Sequence, residues 1–254
     1  MRWRLAAALL LALLPGCRQQ PQTPPEPRVH AAAYDAFYVW PGVHPAPDLH
    51  PATLYLLDGE VRRGGAAHLQ RLRMGVLHLP GTALWLVVRT DRLDWNEATR
   101  EALLADLRQW QQAGNQLAGL QVDFDASTRG IGTYARFLRD LRAWLPRDWR
   151  LSVTGLMDWS AHGTPRDLAA LAGTIDEAVI QTYQARATIP GYGAYFRQMA
   201  HFPIPFRVAL VEGGAWQAPP LLAHHPQFRG YVVFLLKHQA LRRTSPMGGV
   251  SDGS

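Results

Sequence analysis

The segment Leu117-Ala118-Gly119-Leu120-Gln121-Val122-Asp123-Phe124-Asp125-Ala126-Ser127 concentrates the groups best suited to chemistry in this chain. Side chains of an extended strand alternate between faces, so Leu120, Val122 and Phe124 share one face and Gln121, Asp123 and Asp125 the other. Two carboxylates on one face do not both ionise cheaply. One is held protonated to higher pH, which is the condition a general acid needs. Asp123 and Asp125 are the expected catalytic pair. The same residues would serve equally as a buried hydrogen-bonded brace between strand and loop. Arg89 is expected to neutralise this acidic group.

Other positions add carboxylates and aromatic platforms. Trp40, Asp158, Trp159, Tyr183 and Glu212 each lie at the end of a candidate strand and are expected, with Gln121, to bind substrate. Carboxylates suit the polar edges of a sugar, and Trp and Tyr suit its apolar ring faces. Alternation also turns Ser152, Thr154 and Gln181 to the same side. The histidines His44, His50, His224 and His225 follow no metal-ligand spacing. Glycine-rich nucleotide loops, the Gly-x-Ser-x-Gly elbow and His-Glu-x-x-His do not occur, so neither cofactor nor metal is expected.

These residues need a scaffold that brings strand ends together. Short β-branched or aromatic runs alternate with amphipathic segments after residue 30, the pattern of an α/β fold with a parallel sheet. The candidate strands cover Asp35–Trp40, Leu54–Glu60, Leu84–Arg89, Gly119–Asp125, Arg150–Asp158, Glu177–Tyr183, Arg207–Glu212 and Gly230–Leu236. Asn96 caps a helix that stops at Gly114-Asn115, and a second helix runs from Ile131 to Leu145 before Pro146. Thr164-Pro165 opens a third, and a shorter one is expected over Gly193–His201. Eight strands with intervening helices predict a (β/α)8 barrel, whose active sites form at the C-terminal ends of the strands. Four prolines between Pro41 and Pro51 forbid a full crossover helix, so the first βα unit is expected to be degraded. The competing architecture is an open doubly wound sheet.

The chain begins with Arg2 and Arg4 and a ten-residue apolar run from Leu5 to Leu14. That run is too short to span a bilayer, which needs about 20 apolar residues, and suits an export signal. Leu14-Pro15-Gly16-Cys17 then resembles the lipobox of bacterial lipoproteins, with Cys17 the only cysteine. The resemblance implies removal of residues 1–16, lipidation of Cys17, and anchoring to a membrane of the cell envelope outside the cytoplasm. Arg18 in place of Asp resembles the outer-membrane-sorted pattern of Gram-negative lipoproteins. Residues 17–33 are proline-rich and read as a disordered spacer, residues 34–243 as the barrel domain, and residues 244–254 as a frayed tail. The net charge of +6 comes from 25 Arg and one Lys scattered among acidic residues, without an aromatic-basic motif, so nucleic acid is not an expected partner.

Gly119-Leu120-Gln121-Val122-Asp123-Phe124-Asp125 resembles the Asp-Gly-x-Asp-x-Asp-x-Glu fourth-strand motif of family 18 glycoside hydrolases, the chitinase-like barrels. Gly119 takes the place of the motif's Gly, Asp123 of its middle carboxylate and Asp125 of its catalytic acid. Ala118 and Gln121 stand where that motif has Asp. Val179-Ile180-Gln181-Thr182-Tyr183 is similar to that family's sixth-strand Met-x-Tyr-Asp, which implies that Tyr183 holds a substrate acetamido group. Over residues 34–236 the chain resembles more closely a bacterial lipoprotein family known as domain of unknown function 3142. That resemblance rests on Tyr34–Trp40, Leu56–Val61, Gln121–Ala126 and Leu151–Trp159. What it implies is a membrane-anchored lipoprotein with a glycoside-hydrolase-like barrel that acts on or binds an envelope or extracellular glycan. The alternative is a non-catalytic lipoprotein that binds glycan or a protein at the barrel mouth.

Overall fold

The computed structural model describes residues 27–126, 130–159 and 164–237. Its strands are β1 (Ala36–Val39), β2 (Thr53–Val61), β3 (Gln70–Arg71), β4 (Ala83–Thr90), β5 (Gln116–Asp123), β6 (Arg150–Leu156), β7 (Glu177–Gln181), β8 (Tyr183–Gln184), β9 (Ala187–Thr188), β10 (Phe206–Val211) and β11 (Phe228–Phe234). The helices are α1 (Glu97–Gln112), α2 (Ile131–Trp144), α3 (Pro165–Ala172) and α4 (Tyr192–Gln198).

Eight parallel strands run in the order β1-β11-β10-β7-β6-β5-β4-β2, and β1 also pairs with β2, so the sheet closes on itself. This closure is the expected barrel and excludes the open sheet. The short β8–β9 hairpin follows β7, and β3 lies antiparallel on the last turn of β2. All eight expected strands are present, most with ends shifted by one to three residues.

Strand alternation divides the core into two layers. Leu84, Leu86, Val88, Leu120, Val122, Leu151 and Val153 pack outward against the helices. Ala36, Tyr38, Tyr55, Leu57, Trp85, Val87, Val179, Ala209 and Val232 fill the barrel. α1 supplies Leu103, Leu107 and Trp110 to the outer layer, and α2 supplies Tyr134, Leu138 and Leu141. The side chain of Asn96 accepts from the Thr99 amide at 2.8 Å, a cap that stabilises a helix by about 1 kcal/mol. Among the described residues no helix is long and apolar enough to cross a membrane.

The β1–β2 connection carries no helix, as its prolines require. The β2–β4 connection over residues 62–82 also lacks one, which the sequence reading did not anticipate. Arg73 takes part of its place, donating to the carbonyls of Val39 at 2.8 Å and Leu57 at 2.9 Å. Residues 27–33, within the expected spacer, are tied to the barrel. Val29 is buried, its amide donates to Gly214 O at 2.9 Å, and Trp216 N donates to Pro27 O at 2.9 Å. Residues 31–33 then form a 3-10 turn into β1.

Candidate functional site

The register around β5 places its polar file inside the barrel. Gln121 lies opposite Ser152 of β6, and Ser152 opposite Glu177 of β7. One step of alternation above Gln121, Asp123 stands at the C-terminal end of the strand. Phe124 points outward and packs on Tyr134 of α2 with ring centroids 5.1 Å apart. This is the facing expected for Gln121, Asp123, Leu120, Val122 and Phe124.

Asp123 accepts a hydrogen bond from Thr154 Oγ1 at 2.8 Å. It borders a cavity of about 30 Å³ shared with Tyr38, Trp40, Thr154, Gln181 and Tyr183. That volume admits about one water-sized group. Trp40 meets Phe234 edge-on at 5.5 Å, and Tyr183 stacks on the same ring at 5.4 Å, so one wall is aromatic. Gln181 Nε2 donates to Tyr183 O at 2.9 Å, tying the floor to the hairpin.

Two open clefts adjoin this cavity. One, of about 190 Å³, shares Gln181 and Tyr183 and adds Asp158, Ile189 and Tyr195. The other, of about 180 Å³, shares Asp123 and adds Arg63, Arg89, Asp91 and Asp125. A larger groove of about 620 Å³ lies between α4 and residues 217–221, lined by Tyr192, Arg197, Pro219, Pro220 and Leu221. Among the described residues its lining includes no carboxylate and none of the expected site residues.

Burial pushes the Asp123 carboxyl up; the Thr154 hydrogen bond and Arg89 pull the other way, and Asp125 and Glu60 add to the rise. Tyr183 is raised by burial and then by Asp123. Tyr38 is held far above its ordinary value, again by burial first. Arg89 thus acts on Asp123 as expected, through its charge.

The expected site residues divide into three groups. Asp123, Trp40 and Tyr183 line the cavity, and Asp158 lines the adjoining cleft. Asp125 is exposed on the rim because β5 ends at Asp123 and the chain leaves the sheet. The burial that favours a protonated carboxyl therefore falls on Asp123. Gln121, Trp159 and Glu212 occupy other surroundings. Gln121 is fully buried beneath the cavity, accepting from the Tyr38 hydroxyl at 2.7 Å and donating to Ser152 Oγ at 2.8 Å. Trp159 is fully buried in the outer layer, where its indole N–H donates to Ala126 O at 2.8 Å. Strand alternation cannot be carried to Trp159, because β6 ends at Leu156. Glu212 accepts from the Leu236 amide at 3.0 Å and ties the end of β10 to that of β11.

Sequence reasoning missed Tyr38, Tyr195, Glu177 and Arg207. Tyr38 was accessible, since it alternates with Ala36 and Trp40 along the first strand. Cys17 lies outside the described residues, and among those described no three His, Cys, Asp or Glu side chains cluster as metal ligands.

Solved structures similar to this chain include the spore cortex-lytic enzyme SleL of Bacillus cereus, with 19% identity over 69% of this chain and 49% of that one, and a TM-score of 0.45. The chain therefore spans about half the length of SleL. The chitinase domain of the spore coat protein CotE from Clostridium difficile is 13% identical over 82% of this chain and 71% of its own, with a TM-score of 0.45. A GH26 β-mannanase from Bacteroides ovatus is 13% identical over 80% and 81%, with a TM-score of 0.41. No curated protein matches the sequence. Residues 82–202, from the edge of β4 to the end of the α4 region, match the family described as domain of unknown function DUF3142.

Proposed function

We propose that this protein binds a glycan of the cell envelope or the extracellular space at the mouth of its barrel, with Asp123 at the centre of the site. The supporting observation is a carboxyl at the C-terminal end of a barrel strand, held by Thr154 and opening on a cavity walled by Trp40 and Tyr183. A carboxyl with aromatic walls matches the two kinds of surface a sugar presents. In this reading Cys17 carries the lipid that tethers the barrel to the membrane, and the outer membrane is its place in a Gram-negative host.

A second reading, cleavage of the bound glycan, is favoured by the upward shift of Asp123, which suits a general acid. Asp123 takes the role first expected of Asp125, and Asp125 contributes from the rim.

Calorimetric titration of the full chain with neutral and acidic oligosaccharides from envelope and extracellular polymers tests the proposal. Asp123→Asn keeps the shape and removes the acid, and should weaken binding about tenfold, the worth of one charge-assisted hydrogen bond. If turnover is detected, the same variant should lose 10²–10⁴-fold in rate, roughly what general acid catalysis supplies. A wild-type protein that binds no oligosaccharide, or a variant that binds equally well, would overturn the proposal.

A further inference from the structure

Below the cavity the barrel interior holds a chain of hydrogen bonds with one direction. Glu177 accepts from Tyr55 Oη at 2.6 Å, Arg207 Nε at 3.0 Å and Ser152 Oγ at 3.5 Å. Ser152 Oγ in turn accepts from Gln121 Nε2 at 2.8 Å, and Gln121 Oε1 accepts from Tyr38 Oη at 2.7 Å. Gln121, Ser152 and Tyr55 are fully buried and Tyr38 nearly so; every bond in the chain is buried except the one from Arg207, which is part-buried.

A carboxylate only accepts, a hydroxyl has one proton, and an amide has distinct donor and acceptor ends. Ion-paired with Arg207, Glu177 draws the Ser152 proton toward itself. Ser152 can then only accept from Gln121, so the Gln121 amide group faces Ser152 and its carbonyl faces Tyr38. The Tyr38 proton is consumed by that carbonyl, so Tyr38, which lines the cavity, has only lone pairs left on its hydroxyl. Reversing the Gln121 amide would turn the Ser152 proton away from Glu177 and free the Tyr38 proton for the cavity. Tyr183 is the complement. Its hydroxyl donates to no atom among the described residues, it is only 9% exposed, and it lines the same cavity.

We propose that Glu177 is a positioning residue which, through Ser152 and Gln121, fixes Tyr38 as an acceptor, so that the cavity takes a neutral hydroxyl group donating to Tyr38 and accepting from Tyr183. This rests on the glycan-binding reading and narrows it to glycans that insert an uncharged hydroxyl. Carboxylate, sulfate and phosphate groups only accept, so they find no proton at Tyr38.

The first measurement needs no ligand. In the isotope-labelled full chain, nuclear Overhauser contacts should place the Gln121 side-chain amide protons nearer the Ser152 β-protons than the Tyr38 ring. The Tyr38 hydroxyl proton should exchange slowly. Ser152→Ala should abolish this preference and speed that exchange, and Ser152→Thr, which restores the hydroxyl, should recover both. The second measurement compares cellotetraose and mannotetraose with tetragalacturonate. Ser152→Ala should weaken binding of the neutral probes about fivefold and narrow their advantage over the acidic one, with Ser152→Thr restoring both. Amide protons facing Tyr38 in the wild type overturn the inference whether or not any sugar binds. So does a Ser152→Ala protein with unchanged amide orientation. A wild type with the expected orientation that binds neither neutral probe overturns the narrowing to hydroxyl ligands.

Discussion

Asp58 on β2 and Asp106 on α1 are two carboxyls in the outer layer, 1% and 3% exposed. Trp110 Nε1 donates to Asp58 Oδ1 at 3.1 Å, and Arg71 pairs with Asp106 Oδ1. The remaining oxygen of each carboxyl finds no donor among the described residues. A proton held between them removes that deficit, because a protonated carboxyl donates to its neighbour. Burial is the main cause that pushes Asp106 up to about 8, followed by its hydrogen bond with Asp58 and the Asp58 charge, against the pull of Arg71. The unfolded chain binds this proton only below about 4. The folded state therefore holds more protons between about 4 and 8, and stability falls as pH rises across that window. Asp106→Asn keeps a donor for Asp58 and abolishes the titration. Its melting temperature should change less between pH 5 and 8.5 than that of the wild type. Identical slopes for the two proteins would exclude the shared proton.

At the scale of elements, the tightest constraint is where β5 crosses β6. A Cβ placed on Gly119 would stand 2.0 Å from Arg150 O, a backbone atom that cannot move aside without breaking the ladder. The same crossing sets Gly119 beside Trp85, over which the Arg150 guanidinium lies at 4.8 Å. Gly119→Ala should cost roughly 3 kcal/mol by denaturant unfolding, the upper end of ordinary overpacking. A loss below about 1 kcal/mol would show that the crossing opens easily. The eight strands were legible because their apolar runs are β-branched and bounded by turns, and the inner file of β5 because alternation is local. Side-chain facing became illegible where strands ended. Beyond Asp123 and Leu156 the period of two no longer applies, so Asp125 reaches the rim and Trp159 the outer core. Pairs such as Tyr55 with Glu177, 122 residues apart, depend on closure of the barrel, which no local pattern encodes. The helix-free stretch over residues 62–82 was equally hidden, since its replacement by Arg73 and β3 is a matter of tertiary hydrogen bonds.

For the whole molecule, the question is how the barrel meets its surroundings. The described chain starts at Pro27, which docks through Val29 beside Gly213, Gly214 and Trp216, just past the C-terminal end of β10. That end of the strands carries the mouth. Cys17 precedes Pro27 by ten positions (27 − 17), and ten residues span at most about 35 Å even when fully extended. A lipid on Cys17 would therefore keep the docked strap, and with it one side of the mouth, within that distance of the membrane. Such placement suits a binding site for polymers lying close to the membrane. The barrel strands and the strap contacts all lie beyond residue 26, so loss of the lipid should leave the fold unaffected. In its native host the wild type should incorporate labelled palmitate and partition into detergent. Cys17→Ala should incorporate no palmitate, accumulate as a longer precursor, and keep the wild-type melting temperature after detergent extraction. Absence of fatty acid from the wild-type protein would remove the tether and the orientation it implies, while leaving the mouth and its Asp123 site to be judged on binding alone.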